Sequence, residues 1–502
     1  MAQIVTSTDA GQVVGSWEGD SFVFRGIPYA APPVGELRFK PPEPVAPWDG
    51  TRDATKSGSA CPQVRVESAA TGAGSQSEDC LVLNVFTPDP GSGSRPVMVW
   101  LHGGGFTIGS GGQPSYDGAK LAARGDVVVV SINHRLGALG YLYLAELGGE
   151  AFADSGNAGA LDMVAALRWV HDNIGSFGGD KDNVTIFGQS GGGGKVSTLL
   201  GMPSARGLFH RAIVQSGPKL AGINPISAAA TARAIIEQLG LSSAKELVAV
   251  PVAELVAAQA AVLGDVFSAA MAGTGHTFGP VTDGRSLPEN PFEPHAAPSA
   301  ADVPLLIGTC KDEWTILAER TTGLAEIDDA SAKQLVMGMV EDESLYATYE
   351  RMRPSATPAE LITSIRSGLH RIASIRLAER KMTRGEAPVF MYRFDYESPL
   401  LGGKLGAPHS MEIPFVFDHI GTPGLHGDRP DAQALSDRVS EAWLAFARGG
   451  DPNHPNLPTW PKYDMDRRST MLFDSKCQVA DDPDAEERLA WEGLRMPSWI
   501  AG

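Results

Sequence analysis

The sequence predicts an α/β fold: a doubly wound, mostly parallel sheet with helices on both faces. Three observations predict it. Short runs of apolar, β-branched residues recur along the chain, and Val127–Ile132 (VVVVSI) is apolar almost without a break, as expected of a parallel strand covered on both faces. Between the runs lie stretches with apolar residues at helical spacing. Val184–Phe187 then passes without a linker into Gly188-Gln189-Ser190-Gly191-Gly192 and a helix start, which is strand, sharp turn and helix in succession.

Each element follows from its residues. Gln12–Val14 and Ser21–Arg25 read as a small antiparallel hairpin turning near Glu18-Gly19-Asp20. Pro32-Pro33 opens a Pro-rich stretch to Pro47, which regular helix and central strand exclude, leaving an extended surface wrap. Leu81–Phe86 and Pro96–Leu101 are strands separated by a polar turn, and His102-Gly103-Gly104-Gly105-Phe106 follows the second. Asn157–Ile174 is a helix with an apolar stripe of Ala160, Leu161, Val164, Leu167, Trp169 and Ile174. His210–Val214 and Leu305–Gly308 are further strands. The Ala-rich block from 225 to 275 is helical, as is the block from 325 to 383, where Ile362, Ile365, Leu369, Ile372 and Ile375 share a face. Val389–Phe394 alternates as a strand. Gln433–Arg448 is a helix (Leu435, Val439, Trp443, Phe446) stopped by Gly449-Gly450-Asp451-Pro452. The tail from Asp481 begins acidic and is expected to end near Trp491–Trp499 as a surface helix. With no repeats and no marked linker, residues 1–502 read as one domain, its helical insertions at 225–280 and 318–385 walling a pocket.

Composition narrows the function. Apolar content of 43% and charged content of 20% are those of an ordinary globular protein. Lys and Arg total 41 against 59 Asp and Glu, and the net charge of −18 repels nucleic acid phosphates and anionic lipid. No nucleic acid partner is expected. No run of about 18 apolar residues predicts a membrane span. The opening MAQIVTSTDAGQVVG has no basic region followed by an apolar one, so a cytoplasmic location is expected; export stays open for a chain trimmed ahead of Met1. Cys61, Cys80, Cys310 and Cys477 form no C-x-x-C pair. Cys61 and Cys80 could close a loop of about 20 residues, a bridge worth roughly 3 kcal/mol where it can oxidise.

The Gly188–Gly192 pattern, G-x-S-x-G between strand and helix, is a nucleophile elbow. The turn puts Ser190 in an uncommon backbone conformation and brings its neighbours so close that only residues without Cβ fit. Ser190 also stands at a helix N-terminus, where unpaired N–H groups can bind a developing oxyanion. In a chain with 58 Gly the bare pattern is weak, and the flanking strand and helix give it its weight. The rival is a phosphate loop, because Gly191–Gly194 run into Lys195. That fingerprint fails: Gln189 stands where its first glycine belongs, and Val196 where its hydroxyl belongs.

A serine hydroxyl needs a base, and the base needs an orienting group, in the chain order Ser, acid, His. Among eleven histidines, His409 in GAPHSMEIPFVF lies on a turn before an apolar segment. His419, His426 and His454 are also late enough, and His102 reads as a brace for the glycine run. Glu313, in LIGTCKDEWTIL, follows the Leu305–Gly308 strand as an acid at a strand's carboxyl end should, with Asp312 beside it as the alternative. Gly104, Gly105 and Gly191 supply backbone donors for an oxyanion; losing one such donor costs about 2.7–4 kcal/mol.

Together these residues resemble the type B carboxylesterase family, of the α/β-hydrolase fold. The likeness runs through Phe24-Arg25-Gly26-Ile27-Pro28-Tyr29-Ala30, Ser77-Glu78-Asp79-Cys80-Leu81-Val82-Leu83-Asn84-Val85, His102–Phe106, Gly188–Gly192 and Lys311-Asp312-Glu313. It continues through Gly406-Ala407-Pro408-His409, Glu412-Ile413-Pro414-Phe415 and Gly450-Asp451-Pro452-Asn453. The resemblance implies a central, mostly parallel sheet, a small N-terminal antiparallel hairpin and large helical insertions around an active-site gorge. It implies a serine nucleophile at Ser190, an acid at Glu313 rather than Asp312, a base at His409 and oxyanion donors at Gly104, Gly105 and Gly191. It further implies a supporting, hydrogen-bonding Ser216, a disulfide between Cys61 and Cys80, and hydrolysis of a small-molecule ester with no metal or organic cofactor. Two departures bear on substrate. Gln189 replaces the Glu of many members, and the loop between Cys61 and Cys80 has no Trp, Tyr or Phe to hold a quaternary ammonium. The expectation is a microbial, general carboxylesterase for small to medium, uncharged or aromatic esters. Amide- or carbamate-cleaving members are the alternative. Non-catalytic adhesion members are disfavoured, since every candidate for the triad is present.

Overall fold

The computed structural model describes residues 2–64, 75–91, 93–264, 275–497 and 500. A 13-stranded sheet organises them, in the order β1-β2-β3-β5-β7-β6-β8-β9-β10-β11-β12-β13, with β4 beside β2. The strands are β1 (Gln3–Thr8), β2 (Gly11–Glu18), β3 (Ser21–Pro28), β4 (Thr51–Asp53), β5 (Val82–Thr87), β6 (Arg95–Leu101), β7 (Val128–Ile132), β8 (Gly179–Gln189), β9 (Arg211–Gln215), β10 (Leu305–Cys310), β11 (Val389–Phe394), β12 (Ser469–Phe473) and β13 (Gln478–Asp481). From β7 across to β12 every pairing is parallel. Along the main path, the N-terminal strands up to the β5–β7 pairing, and the closing β12–β13 pair, are antiparallel, while β4 lies parallel to β2. This is the α/β-hydrolase arrangement.

The parallel strands are apolar on both faces because both faces are covered. Val128, Val130 and Ile132 of β7 and Val184 and Ile186 of β8 point into one cluster, with Ala160, Leu167 and Leu369. Val129 and Phe187, the alternate residues, point into the opposite cluster with Leu435, Val439, Trp443 and Phe446 of the helix Ala432–Gly449. A period of two that stays apolar at both phases is the signature that made these strands legible.

The first helical block resolves into Pro225–Gln238 and Val252–Leu263, packed on each other, and its remainder at 265–274 lies outside the described residues. The second comprises Asp329–Val340, Ser344–Met352 and the long helix Pro358–Met382, which packs on β10. That long helix starts where its residues dictate: Thr357 and Glu360 form a reciprocal capping box, and Pro358 occupies the first turn. Among the described residues, no helix is long and apolar enough to cross a membrane.

The tail departs from expectation. Its helix is Ala485–Ala490, and Trp491, fully buried, donates from Nε1 to Tyr349 Oη at 3.0 Å rather than lying on a surface helix. Arg376 donates to the carbonyls of Trp491 and Leu494, both at 2.8 Å, while Arg353 and Arg371 grip Glu487. The tail is held by arginines of the second helical block, which its own acidic sequence cannot reveal.

Candidate active site

The carboxyl ends of β6, β8, β10 and β11 lead into the segments that carry the candidate residues, as expected for a site in an open α/β sheet. β8 ends at Gln189 and the elbow helix begins at Gly191, leaving one residue for the reversal. Ser190 takes φ 58°, ψ −125°, a region closed to most side chains and tolerated where the surroundings fix it. Its N–H donates to the Gln215 carbonyl at 2.8 Å. A Cβ on Gly192 would lie 2.0 Å from the Leu101 carbonyl oxygen, so the last glycine of the motif is demanded by contact with β6.

The glycine loop following β6 meets this elbow backbone to backbone. A Cβ on Gly191 would lie 2.3 Å from the Gly105 carbonyl oxygen and 2.4 Å from its nitrogen. Gly104 has φ +89°, with Ile108 packed against it. The main chains of Gly104, Gly105 and Gly191 are thereby gathered beside Ser190.

On the other side, Asp312 and Glu313 follow β10 and divide their work. Asp312 exchanges backbone and carboxylate hydrogen bonds with Ala407, N to O and N to Oδ2, both at 2.9 Å, and so fastens the 407–409 loop to the sheet. Glu313 is 1% exposed. One oxygen accepts from the Cys310 N–H at 2.8 Å and the other pairs with His409 Nδ1. Burial raises the Glu313 carboxyl, but the charge and hydrogen bond of His409 outweigh it, with His370 and Ser216 adding, and the net shift is downward. Burial lowers the His409 imidazole; the charge and hydrogen bond of Glu313, joined by Glu412, reverse this and hold it above its ordinary 6.5.

His409 Nε2 faces the Gln189 amide nitrogen at 3.2 Å. Among the described residues no hydrogen bond joins the Ser190 hydroxyl to His409; catalytic hydrogen bonds are often long before substrate binds. Ser216 shares the strained geometry, with φ 51°, and its buried hydroxyl has no hydrogen-bond partner of good geometry among the described residues, while lying near enough to favour ionised Glu313. The other late histidines are engaged elsewhere: His426 on the Gly427 carbonyl at 2.6 Å, His454 on Arg438 at 3.0 Å, and His419 beside Asp117. Cys61 and Cys80 are buried free thiols lying together, and the hydrogen bond that the Cys80 thiol makes to Cys61, with burial, pushes Cys80 well up. The centre of the loop between them, 65–74, lies outside the described residues.

Three side chains near the site carried no assignment from sequence. Glu412, 0% exposed, accepts from Cys310 Sγ at 3.1 Å and Gln215 Nε2 at 3.4 Å. His370 stacks edge-on to His409 at 6.1 Å between ring centroids and accepts from Trp314 Nε1 at 3.1 Å. Lys195 is wholly buried against the glycine loop rather than presented to a phosphate. Glu412 was within a quoted motif, but nothing in its neighbours announces burial. Among the described residues no group of three or more His, Cys, Asp or Glu is placed to hold a metal ion.

The arrangement suits acyl transfer: a strained serine, a buried carboxylate–imidazole pair and converging glycine main chains. Comparison with known proteins agrees. The para-nitrobenzyl esterase of Bacillus subtilis is 38% identical, with 97% of this chain and 98% of that one aligned. The phenmedipham hydrolase of Pseudarthrobacter oxydans is 36% identical over 95% and 97% of the two chains. The crystal structure of a Geobacillus stearothermophilus carboxylesterase superposes with a TM-score of 0.86 at 40% identity, covering 97% of this chain and all of that one. The Carboxylesterase family profile matches residues 2–491, and the chain is a member of that family, a type B carboxylesterase.

Proposed function

We propose that Ser190 is the nucleophile, His409 its base and Glu313 the group that orients the imidazole, with the N–H groups of Gly104, Gly105 and Gly191 receiving the oxyanion. The observation that carries this reading is the buried Glu313–His409 pair held beside the strained Ser190 turn. His409 donates its Nδ1 proton to Glu313, which leaves the Nε2 lone pair to take the serine proton as Oγ attacks the ester carbonyl. The imidazolium protonates the departing alcohol. Water, deprotonated at the same nitrogen, then attacks the acyl-enzyme, releases the acid and restores Ser190. Glu313 stays ionised throughout, in keeping with its depressed pKa.

The substrates are small to medium, uncharged or aromatic esters. Gln189 sets a neutral amide, not a carboxylate, against His409, and no aromatic residue between Cys61 and Cys80 is available to hold a quaternary ammonium. Two relatives are named for para-nitrobenzyl and for phenmedipham substrates. The test compares wild type with Ser190→Ala on p-nitrophenyl acetate, butyrate and palmitate and on a matched anilide and carbamate. A burst of p-nitrophenol, preference for the short esters and a loss of roughly 10⁴-fold or more in the variant are expected. Full activity in Ser190→Ala overturns the nucleophile; preference for palmitate, anilide or carbamate overturns the substrate class.

A further inference from the structure

Lys195 lies on the elbow helix Gly191–Leu200 and is 0% exposed, where a lysine is rare unless paired. Its Nζ donates to the His102 carbonyl at 2.7 Å. His102 opens the Gly103-Gly104-Gly105 loop and Phe106 closes it, and the Phe106 ring centroid lies 5.8 Å from the same Nζ. One amine on the nucleophile's helix thus touches both ends of the loop that carries Gly104 and Gly105.

The surroundings are built around that amine. His102 and His134 stack 4.9 Å apart with their planes 13° from parallel. Each donates from Nδ1 to a backbone carbonyl, Gly103 and Arg135 respectively, both at 2.8 Å. Burial, with Lys195 adding, holds both imidazoles well below their ordinary 6.5, and burial lowers the Lys195 amine as well. Their Nε2 lone pairs are buried without a partner among the described residues, so this pocket is rich in acceptors. A methionine would fill the same volume without the cost of burying an amine. What the lysine adds is the hydrogen bond to the loop.

We propose that Lys195 is a positioning residue: its bond to the His102 carbonyl sets the glycine loop against the elbow, and so sets the reach of the Gly104 and Gly105 donors toward an oxyanion on Ser190. The proposal rests on the assignment of Ser190 and the glycine donors above. It places the effect of Lys195 in the transition state, where the oxyanion exists, and not in substrate binding.

The test uses Lys195→Met and Lys195→Gln, with Ser190→Ala as the reference for the assignment itself. On a short p-nitrophenyl ester, Lys195→Met loses about 10- to 100-fold in kcat while KM stays within about twofold. The inhibition constant of an aryl trifluoromethyl ketone, which adds to the serine as an anionic hemiketal, rises by the same factor. The Gln side chain falls one atom short of the amine's reach, so it behaves as Met does and carries the test should the Met variant fail to fold. Parent-like kcat in either soluble variant overturns the proposal. So does a loss confined to KM with the ketone's affinity unchanged. Failure of both variants to fold overturns it as well, by making Lys195 a folding residue. An inactive Ser190→Ala alongside any of these outcomes leaves the nucleophile assignment standing.

Discussion

Glu313 and Glu412 are the same residue type, 1% and 0% exposed, and both within electrostatic reach of one imidazole, yet their environments push them in opposite directions. Burial raises both. Glu313 recovers more than it loses, from the charge and hydrogen bond of His409 on one oxygen, with His370 and Ser216 adding. Glu412 receives a thiol at 3.1 Å and a long amide contact at 3.4 Å, and the charge of Glu313 raises it further, so its net shift is upward. Burial alone therefore does not choose a role for a carboxylate. The donors do, and two carboxyl groups pushed apart in this way mark one as the fixed charge and the other as its weaker, more readily protonated neighbour.

The largest expected effect breaks the stronger member. Glu313→Gln keeps the volume but holds the imidazole in the wrong tautomer, and kcat on a short ester should fall about 10⁴-fold, measured under saturating substrate. The Glu412→Gln variant tests the other half through pH. His409 is held above 6.5, so the acidic limb of the kcat/KM profile of the wild type should lie above that value, activity being lost as protons occupy Nε2. Glu412 is one of the groups that raise His409, and its replacement should move that limb to lower pH. An upward or absent shift would show that Glu412 is not a charge the imidazole feels.

The same variant reads out stability. A carboxyl whose pKa is raised in the folded state binds its proton more tightly there, so its contribution is fully present below the unfolded value of about 4.3 and is lost as pH rises through the folded one. Thermal melts across that window should show the wild type losing ground to Glu412→Gln as pH increases. A gap between the two that is flat with pH would place Glu412 in the ordinary carboxylate range.

This contrast marks where sequence reading stops. Most of the strands from β5 to β10 are legible because both phases of their alternation are apolar; β8 is so only from Val184, its polar start Gly179–Asn183 going unread, and β11 is legible from its alternation. β1, β12 and β13 are short strands toward the sheet's edges, and β1 (QIVTST) carries only a weak pattern. The serine elbow is local, so its glycines announce it. The choice between Asp312 and Glu313 is not local: both follow β10, and only the return of the 407–409 loop gives Asp312 to Ala407 and Glu313 to His409. Glu412 is less legible still. Its amide partner Gln215 is 197 positions away, and Trp443, which donates to Gln215 at 3.0 Å, comes from a third element.

The smallest expected effect sharpens the comparison most, because Cys310 serves both carboxylates with different atoms. Its N–H reaches Glu313 at 2.8 Å and its Sγ reaches Glu412 at 3.1 Å. Cys310→Ala keeps the first and deletes the second. The backbone donor to Glu313 survives, so kcat should stay within about threefold of wild type, the scale expected when no transition-state contact is removed. Glu412 loses a donor that lowers it, so its carboxyl should rise further and the pH-dependent stability loss, which starts at the same unfolded value, should extend to higher pH. The buried hydrogen bond and the lost sulfur together should cost about 1–2 kcal/mol at neutral pH, read from urea denaturation. A large fall in kcat would mean that the two carboxylates are coupled through the thiol, and that the difference between them is made by Cys310 rather than by the imidazole.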